Sequence, residues 1–243
     1  MKSEIATNED GTFIIFPNDY ISQHVKYNKP WEPHFKLIIK HLIEPGSTVL
    51  DGGANLGYNS ILLGKQIGPT GTLISFEPQK IVYQQLNGNL IINNIFNAIT
   101  YNAALGKEVE TSTLIPVDYN ADWANIGDTS IGTGGEIINV IKLDDISLNN
   151  LDFIKLDVQG YELFALQGAE NHILKYQPDL FIEIEDPQLI KFGLTGQDLI
   201  NYIKSLGYNI YKIDNSICDY ICSIKNIDKI EQLKLILPLT YEN

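Results

Sequence analysis

Apolar and polar positions along this chain alternate between two periods. Short, nearly continuous apolar runs occupy 49–51, 71–77, 99–104, 151–157 and 179–185. Between most of them, apolar residues recur every three to four positions, at 57–66, 79–93 and 163–176. The first pattern predicts buried strands and the second amphipathic helices. Repeated strand–helix alternation of this kind predicts an α/β domain built on a parallel sheet, with helices on both faces. A further helix over 195–205 has Thr195 as its N-cap and Gly207 as its stop. Two last strand-like runs, 208–213 and 220–224, are separated by a short link around Asp214-Asn215-Ser216. So short a link joins antiparallel strands. The expectation is a mostly parallel, seven-stranded, doubly wound sheet ending in an antiparallel hairpin.

Two regions stand apart from this rhythm. Residues 1–45 read as a cap of three parts: a short strand at 12–17 stopped by Pro17, a polar irregular stretch at 19–30, and a helix over 33–43. Glu32 falls in the first turn of that helix, where the dipole favours an acid. Residues 107–143 carry Tyr119, Trp123, Asn125 and glycines at 127, 132, 134 and 135. Long irregular segments inside a compact α/β domain are usually functional. This one reads as a lid-like insertion, two extended arms flanking a Gly-rich loop. The length suits one domain spanning 1–243.

Composition then narrows the function. The formal charge is −13, and all 17 basic residues are lysines, with no arginine anywhere. An extended nucleic-acid surface is not expected of such a chain, and bidentate guanidinium recognition is absent from it. No run approaches the roughly 20 apolar residues of a membrane span. Met1-Lys2-Ser3-Glu4-Ile5 opens no apolar signal region, so a cytoplasmic location is expected. Cys218 and Cys222, with no further Cys and no His nearby in sequence, are a poor zinc set and read as reduced thiols. The four histidines read as surface or satisfied core residues, with His34 nearest the cap.

The stretch Val49-Leu50-Asp51-Gly52-Gly53-Ala54-Asn55-Leu56-Gly57-Tyr58 carries the strongest chemical signal. It reads as a strand, a tight turn and a helix N-terminus. Glycines there let the backbone approach a ligand, and the helix start offers free N–H groups. The dinucleotide pattern G-x-G-x-x-G is missing. An acid at the strand tip, Asp51, suits ammonium or hydroxyl groups and would repel a pyrophosphate. Some 20 residues on, a strand-like run ends in Phe76-Glu77-Pro78, and an acid at that strand tip is the usual partner of ribose hydroxyls.

The D-x-G-x-N-x-G turn resembles motif I of class I methyltransferases. A more specific block is Asp152-Phe153-Ile154-Lys155-Leu156-Asp157-Val158-Gln159-Gly160-Tyr161-Glu162, followed by Leu166, Gly168 and Ala169. It resembles the FkbM family signature, and Asn102-Ala103-Ala104-Leu105 and Asn125-Ile126-Gly127 fall where that family has similar residues. The resemblance covers about 31–213. Two positions depart from it: Gln159, where Glu is common, and Gly52, where Val or Ile is usual and whose small size should loosen the turn.

The resemblance implies S-adenosylmethionine as cofactor and O-methylation of a hydroxyl on a sugar, glycan or other natural product. Asp51 and Gly53 would hold the methionine part, Glu77 and Pro78 the ribose side, and Asn102 and Ala103 the adenine. Glu32, Asn55, Gly57 and Tyr58 complete the expected cofactor set. A hydroxyl acceptor needs a base or a metal ion to take its proton. Asp157 and Glu183, at strand tips on the same sheet edge, are the expected catalytic pair. They could share a Mg²⁺ ion, though acid–base action does not require one. Tyr119, Trp123, Asn125 and Glu185 are the expected acceptor contacts. Two alternatives stay open at this point: a non-catalytic module that keeps the cofactor fold, and an RNA 2′-O-methyltransferase in which Lys155 beside Asp157 takes part. A homodimer is also left open.

Overall fold

A computed structural model describes residues 2–242 except 116, 120, 122 and 123. The chain opens with an antiparallel hairpin, β1 (Glu4–Asn8) and β2 (Gly11–Ile15). Helices α1 (Tyr20–Lys26) and α2 (Pro33–Leu42) follow. Then come β3 (Thr48–Gly52), α3 (Tyr58–Ile67), β4 (Thr72–Phe76), α4 (Lys80–Ile92) and β5 (Ala98–Tyr101). Three short strands, β6 (Ala104–Leu105), β7 (Glu110–Thr113) and β8 (Ile137–Ile141), form a separate small sheet in the order β6-β8-β7. The chain continues through β9 (Phe153–Leu156), α5 (Glu162–Gln167), α6 (Glu170–Tyr176), β10 (Asp179–Glu183), α7 (Asp186–Leu189) and α8 (Gly196–Ser205). It closes with β11 (Asn209–Ile213), β12 (Asp219–Ser223), α9 (Ile227–Leu233) and β13 (Leu239–Tyr241).

The main sheet runs β13-β11-β12-β10-β9-β3-β4-β5. Pairing is parallel from β5 to β10, and β12 enters antiparallel between β10 and β11. The mostly parallel sheet, the antiparallel ending and the two helical layers agree with the patterning. The seven expected strands are joined by an eighth, β13, antiparallel on β11. Side chains alternate strictly across the sheet. Val49, Leu73, Phe153 and Phe181 face one core, with Phe35, Ile38 and Leu42 of α2 and Ile61 and Leu63 of α3. Leu50, Ile74, Ile154, Leu180 and Ile182 face the other, with Leu163, Leu166, Ile173, Leu199 and Ile203 of the second helical layer.

Several local readings need correction, each for a physical reason. The stretch 19–30 is not irregular: Asp19 caps α1 by accepting from the Ser22 N–H at 2.9 Å. The helix expected over 163–176 is broken at Gly168 and Ala169 into α5 and α6. A Cβ on Gly168 would lie 1.9 Å from the carbonyl oxygen of Gly106, so close packing against the segment after β6 sets the break. Ala104 leaves the third strand of the main sheet and pairs in the small sheet with Val140. Gly52 does not leave the turn loose, since Leu156 and Leu105 occupy the space its side chain would take. Thr195 caps α8 as the sequence indicates, and Asp198 completes a capping box with it.

Candidate active site

The C-terminal ends of β3, β4, β9 and β10 open into one cavity of about 340 Å³, within the range of small-molecule sites. Strand tips in a doubly wound sheet converge at this edge, where the strand order reverses. Among the expected cofactor residues, Glu32, Gly53, Asn55, Glu77, Pro78 and Ala103 line it. So do Asp157, Glu183, Glu185 and Asn125 from the expected reaction and acceptor sets.

The turn after β3 explains why these groups meet. Gly53 has φ +76°, and a Cβ there would lie 1.9 Å from the Asp157 carbonyl oxygen. Only glycine allows this approach of the β3 turn to the end of β9. The turn is tied to β4 by Gly53 and Ala54 N–H bonds to the Phe76 carbonyl, 3.1 and 2.9 Å long. Asn55, at φ 50°, then aims its N–H at Glu77 Oε2, 2.9 Å away. The Gln79 N–H donates to Glu77 Oε1 at 2.8 Å. Glu77 is buried, and burial pushes its carboxyl up to about 7 against the pull of these two N–H groups. A carboxylate has about four lone-pair sites, so two remain for ligand hydroxyls.

Glu32 approaches from the N-cap of α2, in a left-handed conformation at φ 41°, and makes no capping bond. Its Oε2 instead accepts from Asn59 Nδ2 at 2.9 Å. Burial raises this carboxyl to about 7. Beneath the cavity floor lies Lys155, only 3% exposed, with Nζ 2.9 Å from the Gly53 carbonyl oxygen, 3.3 Å from Asp51 Oδ1 and 3.7 Å from Asp157 Oδ2. Burial opposes its charge, but Asp51, Asp157 and Glu32 outweigh it and raise the ammonium's pKa. Asp51 is fully buried, accepting from Ser60 Oγ at 2.6 Å.

Asp157 and Glu183 sit at the tips of neighbouring strands and within hydrogen-bonding reach of each other. Gln159 Nε2 donates to Asp157 Oδ1 at 2.8 Å, and Cys218 Sγ to Glu183 Oε1 at 3.1 Å. Burial first, and then the negative charge of Asp157, raise the pKa of Glu183. Glu183 therefore favours its protonated form beside Asp157.

The structure does not bring every expected residue to the cavity. Asp51 lies behind Lys155. Gly57 caps α3 against Leu86. Tyr58 stacks on Phe13, and its hydroxyl donates to Asp10. The Asn102 amide donates to the backbone carbonyls of Glu77 and Pro78, at 3.0 and 2.9 Å, bracing the strand tip. Tyr119 packs with Phe16, Val82 and Ile126, its hydroxyl donating to Gln79 Oε1 at 3.1 Å. Trp123 lies outside the described residues.

Other residues came together that spacing did not flag. Lys155 was visible as a lone charge within a strand buried on both faces, which requires a partner. Cys218 and Asp219 reach the wall from β12 and its leading turn, and His34 Nε2 lies 2.9 Å from Asp219 Oδ2. Among the described residues, Glu183, Cys218 and Asp219 place one ligand atom each within 4.8 Å of the others. No helix among the described residues is long and apolar enough to cross a membrane.

Sheet order, Gly-rich turn and strand-tip acids together define the class I methyltransferase fold. The methyltransferase FkbM domain model matches residues 51–210, and the chain belongs to that family. Methyltransferase sdnD of Sordaria araneosa is 22% identical over 177 residues, covering 59% of this chain and 68% of that protein. The crystal structure of methyltransferase FkbM from Methylobacillus flagellatus is 24% identical with a TM-score of 0.52, covering 73% of this chain. This chain spans only 44% of that protein's length. A putative rRNA-methylase from Clostridium thermocellum shares the fold at 11% identity and a TM-score of 0.52, covering 78% of this chain and 92% of its own.

Proposed function

We propose that this chain transfers a methyl group from S-adenosylmethionine to a hydroxyl of a sugar, glycan or other natural-product acceptor. The observation that carries the reading is the Asp157–Glu183 pair, on the same cavity as Glu77 and the Gly53 turn. The donor set suits the cofactor. Glu77 keeps free lone pairs for two ribose hydroxyls, and Glu32 offers a buried carboxyl to an ammonium. When bound, the cofactor would supply a sulfonium methyl whose carbon can bond to an acceptor oxygen as the C–S bond breaks, with the electron pair leaving on sulfur.

The chain's own part is positioning and proton transfer. Asp157 accepts the hydroxyl proton as the new O–C bond forms. Gln159 and Lys155 hold its carboxylate in place through one oxygen each. Glu183, protonated, can donate to the acceptor without competing for that proton. The described residues between 114 and 136 form a roof on the acceptor side, a reading supported by Leu114, Asn125, Gly127, Thr129 and Ile131 in the wall. That roof is anchored by the Ile126 N–H to Asp19 Oδ1 at 3.1 Å and by Gln79 Nε2 to the Ile126 carbonyl at 2.9 Å. An RNA acceptor finds no support in Lys155, which is buried and already partnered.

Asp157→Asn tests the assignment. It should lower kcat by about 10² or more, the usual scale for a lost base, while S-adenosylhomocysteine still binds as in the wild type. Turnover within a few fold of wild type would refute Asp157 as the base. Failure to bind S-adenosylhomocysteine at all, in the wild type, would refute the cofactor reading.

A further inference from the structure

The cavity is chemically one-sided. Glu32, Glu77, Asp128, Asp157, Glu183, Glu185 and Asp219 line it, and no lysine or histidine among the described residues does. Lys155 stays beneath the floor, spent on Asp51, Asp157 and the Gly53 carbonyl. With no arginine in the chain, no side-chain movement can bring a guanidinium in. Anionic groups entering this space would meet carboxyls in a wall of low dielectric, where repulsion is screened far less than in water.

These acids divide by position. On the function proposed above, Glu32 and Glu77 serve the cofactor, and Asp157 and Glu183 serve proton transfer. Glu185, Asp219 and Asp128 are left over. They come from three separate segments: the loop after β10, the start of β12 and the roof. Sheet order places β10 and β12 away from β3 and β4, so these groups sit on the acceptor side. Asp219 pairs with His34, and Asp128 accepts from Gln188 Nε2 at 3.0 Å. Glu185 stands at the N-cap of α7 yet makes no capping bond, and its carboxyl accepts no hydrogen bond among the described residues. A second observation points the same way. Trp31 and Tyr20, edge to face at 5.7 Å, line the same cavity, and aromatic faces attract cations as well as sugar rings.

We propose that the acceptor is a hydroxylated amine, of the amino-sugar or amino-alcohol class, whose ammonium is held by Glu185 with Asp219 and Asp128 beside it. Phosphorylated and nucleotide-linked acceptors are excluded by the same groups. The inference rests on the methyltransferase reading and deepens it.

The test uses the full chain saturated with S-adenosylhomocysteine and three matched probes: glucosamine, N-acetylglucosamine and glucosamine 6-phosphate. Binding of each is followed by saturation-transfer NMR and titration. Glucosamine should bind at least tenfold more tightly than the neutral N-acetyl form, with the phosphate weakest. Glu185→Gln should erase most of that preference while S-adenosylhomocysteine affinity stays the same. Equal binding of the first two probes, strongest binding of the phosphate, or binding by none of them would overturn the proposal and leave the methyltransferase reading standing. Failure of S-adenosylhomocysteine to bind in the first step would bring down both.

Discussion

Glu77 offers the sharpest quantitative test of the cofactor site. Its carboxyl is held at about 7 by burial, against 4.5 for an ordinary glutamate, even with two backbone N–H groups donating to it. By linkage that difference is worth about 3 kcal/mol. Ribose hydroxyls donate to the charged form, so binding favours ionisation. At pH 6 about a tenth of such a carboxyl is ionised, and at pH 8 about nine tenths. S-adenosylhomocysteine affinity should therefore rise about tenfold from pH 6 to pH 8 through Glu77 alone. Glu32, raised to about the same value, adds a second factor of about ten if an ammonium settles against it. Titration calorimetry in two buffers of different ionisation enthalpy reads both the affinity and the proton released. In Glu77→Gln the amide NH₂ must face one of the Asn55 and Gln79 N–H donors, and one hydroxyl loses its acceptor. Each bond to a charged acceptor is worth about 1.5–3 kcal/mol, so affinity at pH 8 should fall on the order of a hundredfold. The pH slope should drop by about one factor of ten. Affinity within threefold of wild type, or an unchanged slope, would refute the ribose role of Glu77.

Other outcomes follow from the same buried groups. Glu32, Glu77 and Glu162 all have carboxyls raised to about 7 by burial, so the folded state binds more protons than the unfolded between pH 4.5 and 7. Stability from these groups is fully present at low pH and lost as pH rises through 7. The ligand-free protein should melt several degrees lower at pH 8 than at pH 5.5 by calorimetry, and a rise instead would refute the burial argument. Lys155→Met leaves Asp51 buried without its cation and should cost about 3–5 kcal/mol in denaturant unfolding, part of it restored by adding Asp51→Asn. A double variant no more stable than the single one would show that the pair is not the cause. Gln159→Glu replaces the amide that donates to Asp157 with a like charge. It should move the rising limb of the kcat–pH profile to higher pH while leaving S-adenosylhomocysteine binding nearly unchanged, and an unmoved limb would deny Gln159 a positioning role.

What the sequence by itself determined is what depends on neighbours along the chain. The strand and helix periods, the turn at 51–57, the cap at Thr195 and the acid ending the second strand are all local patterns, and the fold followed from their alternation. The block from Asp152 to Glu162 was enough to indicate the family. Placement was decided only in three dimensions. Asp51 and Tyr58 lie in the expected segments yet point away from the cavity, because the residues opposite them, Lys155 and Asp10, belong to other elements. The N-terminal hairpin drew on side-chain amides of α4 and its C-cap for hydrogen bonds, with Asn89 Oδ1 2.6 Å from the Ile14 N–H and Asn93 Oδ1 3.0 Å from the Thr12 N–H. No spacing rule connects positions so far apart. Likewise Glu32, Cys218 and Asp219 stand far from the signature block in the chain but share one wall with it. The reason is physical: periodicity records which face a residue turns to its own element's surroundings. Which strand tips become neighbours depends on sheet order, and that is set by long-range packing.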